Sequence, residues 1–336
     1  MALKSHSEIF WLNHQQWLQT CGYMLRPQFH PGWTPSWSKT KRPPSLAFYT
    51  RMFAPLIDAI RIADGAPVAL KKINKSVPEY VVETEIGLYF STPPRASHPQ
   101  HHCIPIYEVL DVPDNNKEYG SPPFDMFGEA VEFFRQIFEG LRFMHSHHVA
   151  HRDCQSGNIM MDVTQLYPNG FHSEDVELNQ SWKGKAKHTC MTCTKCNPKY
   201  YLIDFGLSRM HDPANKPPLE YPDCGGDRKM PQLQGQEYHQ LHDPFPIDVY
   251  YIGNLIRREF IEFMQPLVTN MVAEHPTKRP IMDEVFVRFE EIRRSLSTWK
   301  LRSRPVPRNK LGIVNSLVRR IGYILRRIPP VPVLGK

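Results

Sequence analysis

The 336-residue chain has no apolar run approaching the roughly 20 residues that a membrane-spanning helix needs, so no transmembrane segment is expected. Its opening residues, MALKSHSEIFWLNHQ, lack the apolar stretch of a secretory signal. Seven cysteines (Cys21, Cys103, Cys154, Cys190, Cys193, Cys196 and Cys224) are an odd number without the spacing of a disulfide framework, so reduced thiols and an intracellular, cytoplasmic location are expected. Glycine is scarce at the start: only Gly22, Gly32 and Gly65 precede residue 71, so no clustered glycines bring backbone amides close to a phosphate there. Acidic residues are missing from 293–336, a stretch with twelve Lys or Arg, and removing it from the net +7 leaves 1–292 at −5. The basic character thus belongs to a tail, and no nucleic-acid partner is expected for the rest.

What is present is a globular composition, 41% hydrophobic and 22% charged, with 32 prolines that demand many irregular connections. Residues 1–50 combine prolines with Trp11, Trp17, Trp33 and Trp37 and read as an irregular extension. Leu56 to Ile62 and Val68 to Ile73 read as strands joined at Asp64-Gly65, a hairpin-turn signal. A helix is expected over 77–90, with Pro78 in its first turn, and a further strand over Ile104 to Leu110. Ala130, Phe134, Ile137, Leu141 and Met144 recur at helical spacing within 127–145. Residues 163–199 form a polar insert, 207–247 are loop-like, and helical patterns return at 248–264, 265–274 and 281–298. A few strands with one helix, followed mostly by helices, is an α+β order.

The residues that carry chemistry lie at 151–158, His-Arg-Asp-Cys-Gln-Ser-Gly-Asn, and at 204–206, Asp-Phe-Gly, directly after the apolar run Tyr200 to Ile203. Upstream stands Val68-Ala69-Leu70-Lys71, in which strand alternation puts Ala69 and Lys71 on one face and Val68 and Leu70 on the other. Downstream stand Asp248-Val249-Tyr250-Tyr251-Ile252-Gly253 and His275-Pro276-Thr277-Lys278-Arg279-Pro280. Together these resemble the protein-kinase family over roughly residues 55–295. The wording VAHRDC, NIMMD and YYLIDFGLS is similar to that of kinase-like proteins numerous in mushroom-forming fungi.

The resemblance implies a bilobal protein-kinase-like fold: a reduced N-terminal β lobe over about 51–111, a helical C-terminal lobe over about 124–298, and a basic tail at 299–336. It implies transfer of a phosphoryl group from Mg-ATP to a protein hydroxyl, with Ser or Thr favoured over Tyr. Asp153 would be the base, with Arg152 beside it. Asn158 and Asp204 would hold Mg²⁺. Lys71 would anchor the phosphates, Ala69 would lie under the adenine, and a carboxylate of the following helix would hold Lys71. Glu79, Glu83 and Glu85 are candidates, and Glu85-Ile86 matches the family wording. Asp248 would hold the 151–158 loop, and Arg279 would be an internal ion-pair cation.

The chain departs from the family pattern in four places. It has no Gly-rich loop. Residues 111–126 contain no apolar run where a hinge strand is expected. Gln155 stands where a serine/threonine kinase has Lys. Met230-Pro231-Gln232 replaces Ala-Pro-Glu, which leaves Gln232 or Glu237 to accept from Arg279. The alternative function is therefore a pseudokinase, a binding or scaffold module of the same fold. Residues 207–230 offer few hydroxyls but several carboxylates, so Arg152 is expected to pair with Asp223 or Asp227 without a phosphorylation switch. His188, Cys190, Cys193 and Cys196 can either bind Zn²⁺ or remain free thiols of the polar insert. The amphipathic tail, with basic pairs Arg319-Arg320 and Arg326-Arg327, suits an acidic partner, an anionic membrane surface or docking on its own acidic core.

Overall fold

The computed structural model describes residues 6–30, 32–33, 56–73, 78–110, 127–162, 167, 197–214, 217–223, 225, 228–259 and 264–302. The Zn²⁺ candidates His188, Cys190, Cys193 and Cys196, the hinge region 111–126, Asp227 and the amphipathic tail lie outside these residues. The chain divides into two compact units: 1–80 with 110–120 and 167–187, and 81–109 with 121–166 and 188–336. No helix among the described residues is long and apolar enough to cross a membrane.

In the first unit, α1 (His6–Thr20) leads into β1 (Tyr23–Leu25), followed by β2 (Leu56–Arg61) and β3 (Pro67–Lys71). The strands form one antiparallel sheet in the order β1-β2-β3. The Asp64-Gly65 hairpin forms because Gly65 takes φ 71°, open to glycine at no steric cost, while Arg61 grips the Asp64 carboxylate at 3.0 and 2.7 Å. Register pairs Ile57 with Leu70 and Ala59 with Val68. These side chains share a core with Trp11, Leu18, Tyr23, Leu25 and Phe29. Alternation therefore sends Ala69 and Lys71 to the opposite face of the sheet. Lys72 goes the other way, its Nζ 4.0 Å above the Phe10 ring of α1.

The second unit is built on α3 (Phe127–Ser146). Val131, Phe134, Ile137, Phe138, Leu141 and Met144 are fully buried at the three- and four-residue spacing of one wide helical face. Around it lie α2 (Pro78–Ser91), α4 (Phe245–Glu259), α5 (Gln265–Met271), α6 (Met282–Ser295) and α7 (Thr298–Leu301). Phe138 meets Phe289 of α6 edge-on with ring centres 5.0 Å apart, and each such buried ring contributes roughly 1.5–3 kcal/mol of burial. Two short ladders complete the unit: β4 (Val149–Ala150) with β7 (Arg209–Met210), and β5 (Ile159–Met161) with β6 (Tyr200–Leu202).

The expected strand over Ile104 to Leu110 does not form. Pairing stops at Cys103, which makes a single parallel bridge to Leu202, with Leu202 N donating to His102 O at 2.7 Å and Ile104 N donating to Leu202 O at 2.9 Å. The next donor on that edge, Ile106 N, is taken by Ser91 Oγ at 2.7 Å. Among the described residues from 207 to 244 the backbone runs through β7, short turns and an isolated bridge between Glu220 and His242, as its prolines dictate.

Burial also leaves one titrating weak point in this unit. His101 is 4% exposed, flanked by Phe90 and Phe143, and its Nε2 has no hydrogen-bond partner among the described residues. Burial, aided by the Lys199 charge, pushes its pKa down to about 4. The unfolded chain takes that proton near pH 6.5, so the stabilisation is complete above that value and lost as pH falls toward 4. Chemical denaturation at pH 7 and pH 4.5 should show a loss of about 2 kcal/mol that is missing in His101→Phe.

Candidate active site

The site in the second unit is organised by a carboxylate with no exposure at all. Asp248 sits in the first turn of α4, where the helix dipole favours a negative charge. Its Oδ2 accepts from His151 N at 2.7 Å and from His145 Nε2 at 2.9 Å. Its Oδ1 accepts from Arg152 N at 2.6 Å, with the Cys154 thiol at 3.8 Å. Two backbone amides are thereby fixed at the point where the chain must reverse. Arg152 there adopts φ 66°, a left-handed conformation that costs a non-glycine residue roughly 1–3 kcal/mol.

From this anchor the loop delivers its polar groups. Asp153 is half-buried, and its Oδ2 accepts from Asn158 Nδ2 at 2.7 Å and from Gln155 Nε2 at 3.2 Å. The Asn158 amide also donates to Asp153 O at 3.0 Å. Both uses engage Nδ2, which orients the amide and leaves Oδ1 as its acceptor. Gln155 thus works as a donor to Asp153, a role a charged residue is not needed for. The loop is stitched to the Asp-Phe-Gly turn: Ile203 N donates to Asn158 O at 3.0 Å, and the His151 ring lies 3.1 Å from Ile203 O. Asp204 then takes φ 63°, the second left-handed non-glycine residue of the site, and Phe205 turns inward to 1% exposure beside the His151 ring. Asp153, Asn158 and Asp204 are therefore carried on directly bonded backbone segments.

Lys71 and Ala69 belong to the first unit and lie on one sheet face, away from the core that α1 covers. On α2, Glu85 is exposed, whereas Glu83 is only 8% exposed. Glu83 shares the inward face with Ile86, Gly87 and Phe90; a Cβ on Gly87 would lie 3.8 Å from the Phe205 ring. The Glu79 side chain is outside the described residues.

Arg152 is buried, and Glu220 is its nearest carboxylate, with the expected Asp223 farther off. Nη1 pairs with Glu220 Oε2 at 3.1 Å and donates to Leu207 O at 3.2 Å. Nη2 donates to Tyr221 O at 2.9 Å, with Asp223 only at the 4.0 Å margin. Glu220 wins because its peptide is paired in both directions with His242, at 2.9 and 2.8 Å, which aims its side chain at Arg152 and His211. Arg279, 6% exposed, donates to Gln232 Oε1 at 2.8 Å and otherwise to carbonyls of Pro246, Ala273 and Glu274. With no carboxylate among these partners, burial lowers its pKa to about 10. Glu237 is half exposed and faces His242 instead.

No group of three or more His, Cys, Asp or Glu that could hold a metal occurs among the described residues. Asn158 Oδ1 with the Asp204 carboxylate is a pair of hard oxygen donors. That fits a magnesium ion completed by phosphates and water rather than a protein-only cage.

No family model matches the chain. Among curated proteins, it is 26% identical over 175 residues to the SNF1-related protein kinase catalytic subunit alpha KIN12 of Arabidopsis thaliana, covering 48% of this chain and 28% of that protein. It is 32% identical over 117 residues to the carbon catabolite-derepressing protein kinase of Candida glabrata, covering 31% and 19% respectively. It is 29% identical over 116 residues to the serine/threonine-protein kinase CAK1 of Saccharomyces cerevisiae, covering 33% and 23%. The chain thus spans about a quarter of the length of these relatives, which support the protein-kinase family.

Replacing Asp248 by Ala strips the loop of its anchor and leaves two buried amides and His145 without their acceptor. Equilibrium unfolding of this variant should show a loss of about 3–5 kcal/mol.

Proposed function

We propose that the chain is an ATP-dependent protein kinase acting on a Ser or Thr hydroxyl. The observation that carries this reading is one carboxylate, Asp153, oriented by the Asn158 and Gln155 amides, on a loop bonded by its backbone to the segment that leads into Asp204. Similarity to three protein kinases, one named as serine/threonine-specific, supports it.

In this reading Asp153 accepts the proton of the attacking hydroxyl. Asn158 and Gln155 hold its Oδ2 so that the carboxylate faces the substrate without a search over rotamers. Asn158 Oδ1 and Asp204 would hold Mg²⁺, which would supply charge neutralisation for phosphoryl transfer. Lys71 contacts the phosphates, and Ala69, on the same sheet face, leaves room for the base. In the same reading the carboxylate role on α2 is that of Glu85, which is exposed, while Glu83 on that helix is buried. Gln155 contributes no charge to the phosphoryl group. By comparison with loss of an oxyanion donor, that raises the barrier by about 3 kcal/mol, so turnover is expected to be slow.

The pseudokinase reading draws on one specific observation. The sequence between β1 and β2, where the family resemblance calls for a phosphate-covering loop, spans 26–55 with Gly32 as its one glycine. Transfer of labelled phosphate from Mg-ATP to a mixed peptide library separates the two. Wild-type protein should label peptides, and Asp153→Asn should lower the rate at least about 100-fold. Absence of labelling by the wild type at millimolar ATP would leave the binding-module reading.

A further inference from the structure

We propose that Gly225 is a positioning residue for Asp153: the chain after the Asp-Phe-Gly turn lies directly on the Asp153 carboxylate there, and only a residue without a side chain lets that carboxylate keep its orientation. The functional weight of this rests on Asp153 being the base. A Cβ on Gly225 would lie 2.6 Å from Asp153 Oδ1, 3.2 Å from its Cγ and 3.0 Å from the Tyr251 hydroxyl. Real Cβ atoms essentially never approach within 3.0 Å of another heavy atom, so something would have to shift. The φ of Gly225 lies outside the left-handed region, so the demand for glycine is steric and not conformational.

Neither side can easily give way. The carboxylate is tethered through Oδ2 to Asn158 at 2.7 Å and to Gln155 at 3.2 Å, so turning it away breaks those bonds. Tyr251 belongs to α4, is 2% exposed and packs in the main core. The backbone around Gly225 is held on both flanks. Upstream, Glu220 pairs with Arg152 at 3.1 Å, its peptide pairs with His242, and Tyr221 O accepts from Arg152 at 2.9 Å. Gly225 N donates to Asp223 O at 2.9 Å, which tightens the chain just before it. Downstream, Tyr250 donates to Lys229 O at 3.3 Å and Met230 is fully buried. Gly225 itself lies against Asp153. Asn158 and Gln155 hold one carboxylate oxygen; Gly225 borders the other.

The test is a stability cycle that needs no turnover. Gly225→Ala should lower the thermal midpoint by about 4 °C in the wild-type background. The same drop should appear in Asp153→Asn, which keeps the shape of the side chain, and shrink to about 1 °C or less in Asp153→Ala, which removes it. An equal drop in all three backgrounds, or none in the wild type, would overturn the proposal. If Gly225→Ala alone does not fold, recovery of a folded Gly225→Ala/Asp153→Ala protein supports the proposal, and failure of both overturns it. A positioning role further requires that Gly225→Ala keep its Mg-ATP affinity within about threefold while peptide phosphorylation falls at least about tenfold. A wild type without phosphotransfer removes the role of Asp153 as base and still leaves the coupling between Gly225 and Asp153 measurable.

Discussion

The buried carboxylate of Asp248 is the constraint on which the second unit depends. An ionised group with no exposure survives in a core only when its lone pairs are taken, and here two consecutive backbone amides and a histidine take them. That arrangement stabilises a turn that Arg152 would otherwise avoid. It also explains why the loop is stiff without regular secondary structure: its backbone hydrogen bonds are answered by a side chain from α4 and by the Asp-Phe-Gly segment. The left-handed residues Arg152 and Asp204 mark the two points where local strain is held in place by tertiary bonds.

A second feature is the substitution of neutral or internal groups where charge is expected. Gln232 accepts from Arg279, Gln155 donates to Asp153, and Glu220 occupies the guanidinium of Arg152. Each keeps the hydrogen-bond geometry of its neighbourhood. In the case of Arg279 the cost is visible as a depressed pKa, since carbonyls and an amide oxygen do not compensate a buried cation as a carboxylate does. For Arg152 the partner is built into the chain, so the segment carrying Glu220 is fastened to the loop without any added group.

Much of this was legible before any coordinates. The 151–158 and 204–206 motifs, the Asp64-Gly65 hairpin and the helical spacing of 127–145 all correspond to local chemistry, and local chemistry is what a sequence displays. What is less legible concerns choices among equivalent residues. Glu83 and Glu85 differ in which way the helix faces: Glu83 is buried on the side of Ile86 and Phe90, and Glu85 is exposed. Glu220 prevailed over Asp223 through a bridge to His242, a pairing of residues far apart in the chain that no local pattern announces. Apolar content favours a strand over 104–110, yet the Ser91 hydroxyl takes the Ile106 N–H that its ladder needs. Gly225 carried no signal at all, because its reason is the proximity of Asp153 in space.

The polar groups gathered under Asp248 have a use only if they meet a nucleotide. Titration calorimetry of the wild-type protein with ATP and Mg²⁺, repeated with Asp204→Ala, tests this most directly. Saturable binding in the wild type that weakens at least about tenfold in the variant, and that in the wild type requires Mg²⁺, is the expected result. Magnesium-independent binding of equal strength in both proteins, or no heat of binding at millimolar ATP, would contradict it.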